Sequence, residues 1–266
     1  MEILSGKPIE LSEHIGKTYR TLRITLIVIA LLFPWVLWLG GSILTSGKLP
    51  LQRSMSDYYH ANVDPVGAPE SVVRERQLGS GRGVMRNWFV GVLFAISALL
   101  AAYKGYRPAE DVALNFAALF ATLTALVPNQ SGNQWHGYFA IAFFLCIAYV
   151  CIFCASATLS LVEKQKQARY RLLYTVCGVA MVASPVAAAI LNVILRSDSY
   201  TFIAEWFGVY AFAAYWLVKT VEISKTEADQ LAARGQLELE GGTGPADAVR
   251  QLKVKRVGKG IAEHAM

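Results

Sequence analysis

The run LRITLIVIALLFPWVLWLGGSIL, residues 22–44, decides the fold. After Arg23 it carries no charged residue through Leu44, and its apolar positions fill every side of a helix rather than one stripe. A helix rises about 1.5 Å per residue, so roughly 20 such residues cross a hydrocarbon core about 30 Å thick. The run exceeds the roughly 7–15 apolar residues of a signal-peptide core, and no small-residue cleavage site follows it. It is expected to stay in the mature protein.

Working outward, five more stretches of this kind occupy residues 87–103, 112–127, 134–162, 172–195 and 200–221. Composition agrees: 55% of the 266 residues are hydrophobic and 17% are charged, against about 25% charged in soluble domains. The sequence therefore predicts an all-α, polytopic integral membrane protein, a six-helix transmembrane bundle. Its parts are an N-terminal segment (1–21), a membrane domain (22–221) with one long loop (47–85), and a tail (222–266) that is partly helical and then disordered. The third span is the shortest. Pro34 and Pro185 each remove a backbone donor within a span, and a kink is expected at each. The small residues Ala183, Ser184, Ala187 and Ala188 suit close helix packing.

Loop charge sets the expected orientation. With the N-terminus inside, the inner segments carry Lys17, Arg20, Arg23, Lys104, Arg107, Lys164, Lys166, Arg169, Arg171, Lys219 and Lys225. The outer segments carry Lys48, Arg53, Arg74, Arg76, Arg82, Arg86 and Arg196. This favours both termini in the cytoplasm and a bacterial inner (plasma) membrane location. The net charge of +6 is modest and spread along the chain. It fits basic loops beside lipid headgroups and excludes a nucleic-acid-binding face. Membrane lipids are the expected partners.

The long loop begins with an aromatic, polar segment, Ser54-Met55-Ser56-Asp57-Tyr58-Tyr59-His60, and continues as a Pro-, Gly- and charge-rich stretch over 64–83. Its Gly79-Ser80-Gly81-Arg82-Gly83 run lacks the preceding strand and the G-K-[ST] ending of a phosphate loop, so it reads as linker. Cys146, Cys151, Cys154 and Cys177 all lie in apolar spans, where Cys151-x-x-Cys154 reads as two small buried residues rather than a redox pair. In the tail, residues 222–240 are expected to extend the last helix until Gly241 and Gly242 end it. The basic cluster Lys253, Lys255 and Arg256 suits solvent or anionic headgroups.

Polar groups inside spans are the natural pointers to function, because lipid penalises them. Glu205 stands about one and a half turns into the sixth span. Asn192 lies late in the fifth, His136 opens the fourth, and Arg86 and Asn87 open the second. Topology brings the ends of odd spans and the starts of even spans to one boundary, together with the loop residues Tyr58 and Tyr59. Arg86, Asn87, Glu205, His136, Asn192, Tyr58 and Tyr59 are thus the candidate ligand-binding set, with Arg86 expected to pair with Glu205 or to grip an anionic headgroup. The expected activity is binding of lipid or a small amphiphile in an outward-facing cavity, without a cofactor. Two alternatives stand beside it. A metal-dependent membrane hydrolase would use His60, Asp57, His136 and Glu205, and a proton-coupled carrier would centre on Glu205. Trp35, Trp38, Trp88, Trp135, Trp206 and Trp216 read as interfacial anchors. At the inner face, Asp111 is expected to cap the helix after the turn at Lys104–Arg107.

Several of these motifs also carry a resemblance. Ser54-x-Ser56-x-Tyr58-Tyr59, the stretch MRNWFVG at 85–91, Tyr103-Lys104-Gly105-Tyr106, and the segment from Glu205-Trp206 to Tyr215-Trp216-Leu217-Val218-Lys219 resemble an uncharacterised family of bacterial multi-span inner-membrane proteins. The likeness covers residues 22–221 apart from a longer 64–83 segment, and it implies a membrane location without implying an activity. In layout the chain is similar, more distantly, to the six-span DRAM/Sfk-type membrane proteins, which implies a link to lipid handling. The paired histidines on one late helix of alkaline ceramidase-like hydrolases have no match here.

Overall fold

The structure, a computed structural model, describes residues 10–44, 51–59, 84–129, 134–195, 200–239 and 252–254. His60 and residues 64–83 lie outside them. Six long helices form the body: α1 (Leu11–Leu44), α2 (Val84–Ala102), α3 (Pro108–Leu126), α4 (Trp135–Tyr149), α5 (Lys164–Leu195) and α6 (Tyr200–Thr226). Each is long and apolar enough to cross a membrane, α4 together with the irregular turns that prolong it to Leu161. The third, with 19 residues, matches α2 in length and spans about 28 Å.

Consecutive helices pack on one another, α5 and α6 most extensively, and α6 returns to α1 to close the ring. The core is built from residues such as Leu26, Leu100, Leu114, Ile147, Phe212 and Trp216. Outside it, large apolar side chains stand exposed on all six helices, among them Leu32, Trp88, Phe116, Leu145, Val186 and Leu217. A soluble surface rarely tolerates contiguous apolar patches beyond a few hundred Å². In lipid these side chains are solvated, so the exposed girdle and the six spans together make this an integral membrane protein.

Pro34 and Pro185 both lie within continuous helices. The marked irregularity falls elsewhere, in a stretch without proline. Following α4, Val150–Cys154 is π-helical, with the Ala155 N–H donating to the Val150 carbonyl, and Ala155–Leu161 continues as a 3₁₀ helix. Cys151 and Cys154 are buried there as free thiols. Gly178 of α5 presses against this break. A Cβ at Gly178 would stand 2.7 Å from Ile152 Cγ1, 3.1 Å from Cys151 Cβ and 3.2 Å from the Ala148 carbonyl oxygen. Gly178→Ala is therefore expected to lose about 1–3 kcal/mol through overpacking, outweighing the roughly 1 kcal/mol by which alanine favours a helix. Gly91→Ala, with no described atom within 4 Å, should be neutral or stabilising. Thermal unfolding of the two variants side by side checks the contrast.

Of the small residues in α5, Ser184 packs closely, its Oγ lying 3.1 Å from the position of a Cβ on Gly208, whereas Ala183 and Ala187 are exposed. Trp216 is no interfacial anchor: it is fully buried and stacks edge-on with Tyr103 at 5.0 Å. Trp35, Trp38 and Trp206 form one aromatic cluster, with ring separations of 4.9–6.2 Å.

The tail departs from its expected course. The last membrane helix stops at Thr226, Glu227 adopts a left-handed conformation (φ 53°), and a short helix α7 (Ala228–Ala233) folds back onto α1. Two strands follow, β1 (Leu237–Leu239) and β2 (Leu252–Val254), paired antiparallel with Leu237 opposite Val254. Lys253 thus belongs to a strand rather than to disordered chain. Both the start of α1 and the tail lie at the same end of the bundle, where Arg234 pairs with Glu10 at 2.8 Å. We call this the tail end, and the opposite one the loop end.

Candidate functional site

At the loop end, the aromatic-polar segment forms a 3₁₀ turn, Met55–Tyr59, tied into the bundle at several points. Glu205 is its anchor. Its carboxylate accepts the Met55 N–H at 2.6 Å and the Ser54 hydroxyl at 2.8 and 2.9 Å. A carboxylate is well placed there, because the first N–H groups of a helical turn have no internal partner. The Phe202 N–H donates to the Arg53 carbonyl at 2.7 Å, and the Asn129 amide donates to Ser56 Oγ and Asp57 Oδ1 at 2.9 Å each. Beneath the turn, Met55 and Tyr58 pack with Phe33, Met85, Phe89 and Phe202.

A cavity of about 80 Å³ lies under this turn, walled by rings that include Phe89, Phe143 and Phe212, with Ser56, His136 and Glu205 as polar boundary groups. His136 is buried, and its Nδ1–H donates to the Val127 carbonyl at 2.7 Å. The predicted set is thus only partly assembled. Glu205 and His136 share a cavity, and Tyr58 is buried against Phe202, their rings 5.9 Å apart. Arg86 and Asn87 are exposed, and Arg86 lies over the Tyr59 ring at 5.8 Å. Among the described residues no ion pair joins Arg86 to Glu205, because Ser54 and Met55 already occupy the carboxylate. Asn192 belongs to α5, and its side chain lies outside what the structure describes. As for a metal, among the described residues no three His, Cys, Asp or Glu side chains converge. Asp57 instead meets Asn129 and, at 3.7 Å, Arg53.

The tail end holds what the sequence reading missed. Among the described residues, six charged ones are buried there: Arg23, Arg107, Glu110, Lys219, Glu222 and Asp229. Three are cations and three carboxylates. The Arg23 guanidinium grips Asp229 with both terminal nitrogens, at 2.6 and 3.3 Å, and reaches the Tyr103 hydroxyl at 3.5 Å. The Tyr106 hydroxyl also donates to Asp229. Burial pushes both phenols above their usual range, so they stay protonated. Deeper in, the Lys219 ammonium donates to the Ala155 carbonyl (3.0 Å), Thr158 Oγ1 (2.7 Å) and Glu222 (3.2 Å). Glu222 also accepts the hydroxyls of Thr158 and Tyr174. Ala155 sits where the π turn passes into the 3₁₀ segment, so Lys219 binds the helix break itself. The α2–α3 turn completes the cluster. Pro108 opens α3 and Arg107 is its N-cap, while Asp111 reaches back to the Gly105 N–H at 2.8 Å.

No family model, curated protein or solved structure matches the chain. The site is therefore read from its own geometry. At the loop end, that geometry offers a mainly apolar recess with a carboxylate and an imidazole at its edge. At the tail end, it offers a neutralised, tightly hydrogen-bonded charge cluster under a folded-back tail. The signals for the second site were present in the sequence, as Lys219 and Glu222 one turn apart on α6 and Arg23 at the threshold of the first span.

Proposed function

We propose that this protein binds the apolar chain of a lipid or small amphiphile in the loop-end cavity, with the ligand's polar end beside Glu205 and His136. One observation supports this above the others: an apolar cavity of about 80 Å³ whose polar boundary is confined to a few groups. That volume far exceeds the roughly 10–15 Å³ one water requires, yet apolar cavities stay dry and accept apolar guests. The aromatic walls supply affinity and the polar edge supplies orientation. In this reading both termini face the cytoplasm of a bacterial inner membrane and the cavity faces outward, as the Lys/Arg bias of the loops suggests.

Native mass spectrometry of gently purified protein tests the proposal. Delipidated protein offered a defined phospholipid should regain an adduct. Ala140→Phe, which places a ring in the cavity, should lose that adduct while melting like the parent protein. A folded Ala140→Phe variant that holds the phospholipid unchanged would refute the cavity as the site.

A further inference from the structure

Glu110 is the incompletely satisfied carboxylate of the tail-end cluster. It is only 1% exposed. Its Oε2 accepts one hydrogen bond, the Tyr106 N–H at 2.9 Å, while its Oε1 has no hydrogen-bond partner among the described residues. An ionised carboxylate in the membrane interior normally recruits two or more donors, because desolvating it otherwise costs several kcal/mol. Two of its charged neighbours are engaged elsewhere. Lys219 gives hydrogen bonds to Ala155, Thr158 and Glu222, and Glu222 is saturated by Thr158, Tyr174 and Lys219. The remaining titratable and charged groups facing Glu110 are Tyr103 and Arg107 from its own turn, Tyr215 from α6, and Cys151 and Cys154 from the π turn.

Space around Glu110 admits little. It packs on Gly105, where a Cβ would stand 2.6 Å from Glu110 Cγ and 2.8 Å from its Cβ. That contact leaves no gap for a metal or an organic ion on this side, but a proton needs none. Solvent reaches nearby through a polar cleft of about 190 Å³, bounded by Lys17, Arg20, Arg23, Glu227 and Asp229. The cleft reaches Asp229, Asp229 accepts the Tyr106 hydroxyl, and the backbone N–H of that tyrosine is what Glu110 holds.

We propose that Glu110 is an exchangeable proton-binding site, taking up and releasing one proton at the end of the bundle where the tail-end cleft opens. Uptake places the proton on Oε1 and changes the buried cluster from three cations and three carboxylates to three and two. The ligand is H⁺ and the site stands apart from the loop-end cavity, so either can fail without the other.

Infrared difference spectroscopy across a pH jump tests this on full-length protein in phospholipid vesicles. With isotope label at the glutamate carboxyls, the unmutated protein should show the carbonyl stretch of a buried protonated glutamic acid rising as pH falls. Glu110→Gln should remove that band. Glu205→Gln should leave it, and Gly105→Ala, which presses a methyl against Glu110, should shift it. Absence of any titrating glutamic acid band in the unmutated protein would overturn the proposal whatever the variants do. So would persistence of the band in Glu110→Gln, or its loss in Glu205→Gln alone.

Discussion

Glu222→Ala is expected to be the most damaging single substitution in the bundle, lowering stability by about 3–5 kcal/mol, the usual cost of stranding a buried charge. Lys219 and Glu222 are 1% and 0% exposed. Removing the carboxylate leaves the Lys219 ammonium hydrogen-bonded to two neutral acceptors, the Ala155 carbonyl and Thr158, with Glu110 as a remaining counter-charge that makes no ion pair with it among the described residues. Screening by solvent cannot rescue a cation so deeply placed, as it would for an exposed pair worth at most about 1 kcal/mol. The double variant Lys219→Met/Glu222→Met should recover part of the loss, because it removes the stranded charge. It should still fall short of the parent, since the Thr158 and Tyr174 hydroxyls lose their acceptor at about 1 kcal/mol or more each. Unfolding midpoints of the parent, Lys219→Met, Glu222→Met and the double variant, in one detergent, form the cycle, with Glu222→Ala measured beside them. A Glu222→Ala midpoint equal to that of the parent would mean that the cluster does not hold α6 against the broken helix.

The same burial limits how far the sequence can be read. The six spans were legible because lipid imposes one demand along their whole length, and hydropathy records it residue by residue. The loop-end convergence of Glu205 and His136 followed from which helix ends share a boundary, with no knowledge of contacts. What stayed hidden depended on packing. Arg23, Arg107 and Lys219 counted as evidence of orientation, as solvated charges at a membrane surface would. They are buried because a tail and a turn cover them, and that cover is set by long-range pairings such as Arg23 with Asp229, which no local pattern reveals. Arg86 erred in the opposite direction. It seemed a natural partner for Glu205, but the backbone N–H of Met55 and the Ser54 hydroxyl, neither marked by charge, took that place. The π turn at Val150–Cys154 likewise had no proline or glycine to announce it, and the residues packed against it, Gly178 and Lys219, lie on neighbouring helices.

The tail offers the second large effect, and here magnitude decides its form. A helix of six residues such as α7 has no stability of its own. Glu227, left-handed without being glycine, adds strain of about 1–3 kcal/mol against the folded-back course. The Arg234–Glu10 pair is exposed, with side chains 40% and 59% accessible, and offers at most about 1 kcal/mol. What holds α7 down is therefore Asp229, bound bidentately by an arginine that is 1% exposed and joined by Tyr106. Asp229→Ala should strand Arg23 at a cost of about 3–5 kcal/mol. Because α7 is peripheral, the chain escapes most of that cost by releasing the tail and letting water reach Arg23. The expected outcome is accordingly local: rapid proteolysis and hydrogen exchange across residues 228–239, with the unfolding midpoint of the six-helix body nearly kept. Glu227→Gly, which relieves the left-handed strain, should slow both in an otherwise unchanged protein. If Asp229→Ala lowers the midpoint of the whole bundle and leaves tail exchange at the parent rate, the tail is an integral layer of the core rather than a latch over the charge cluster.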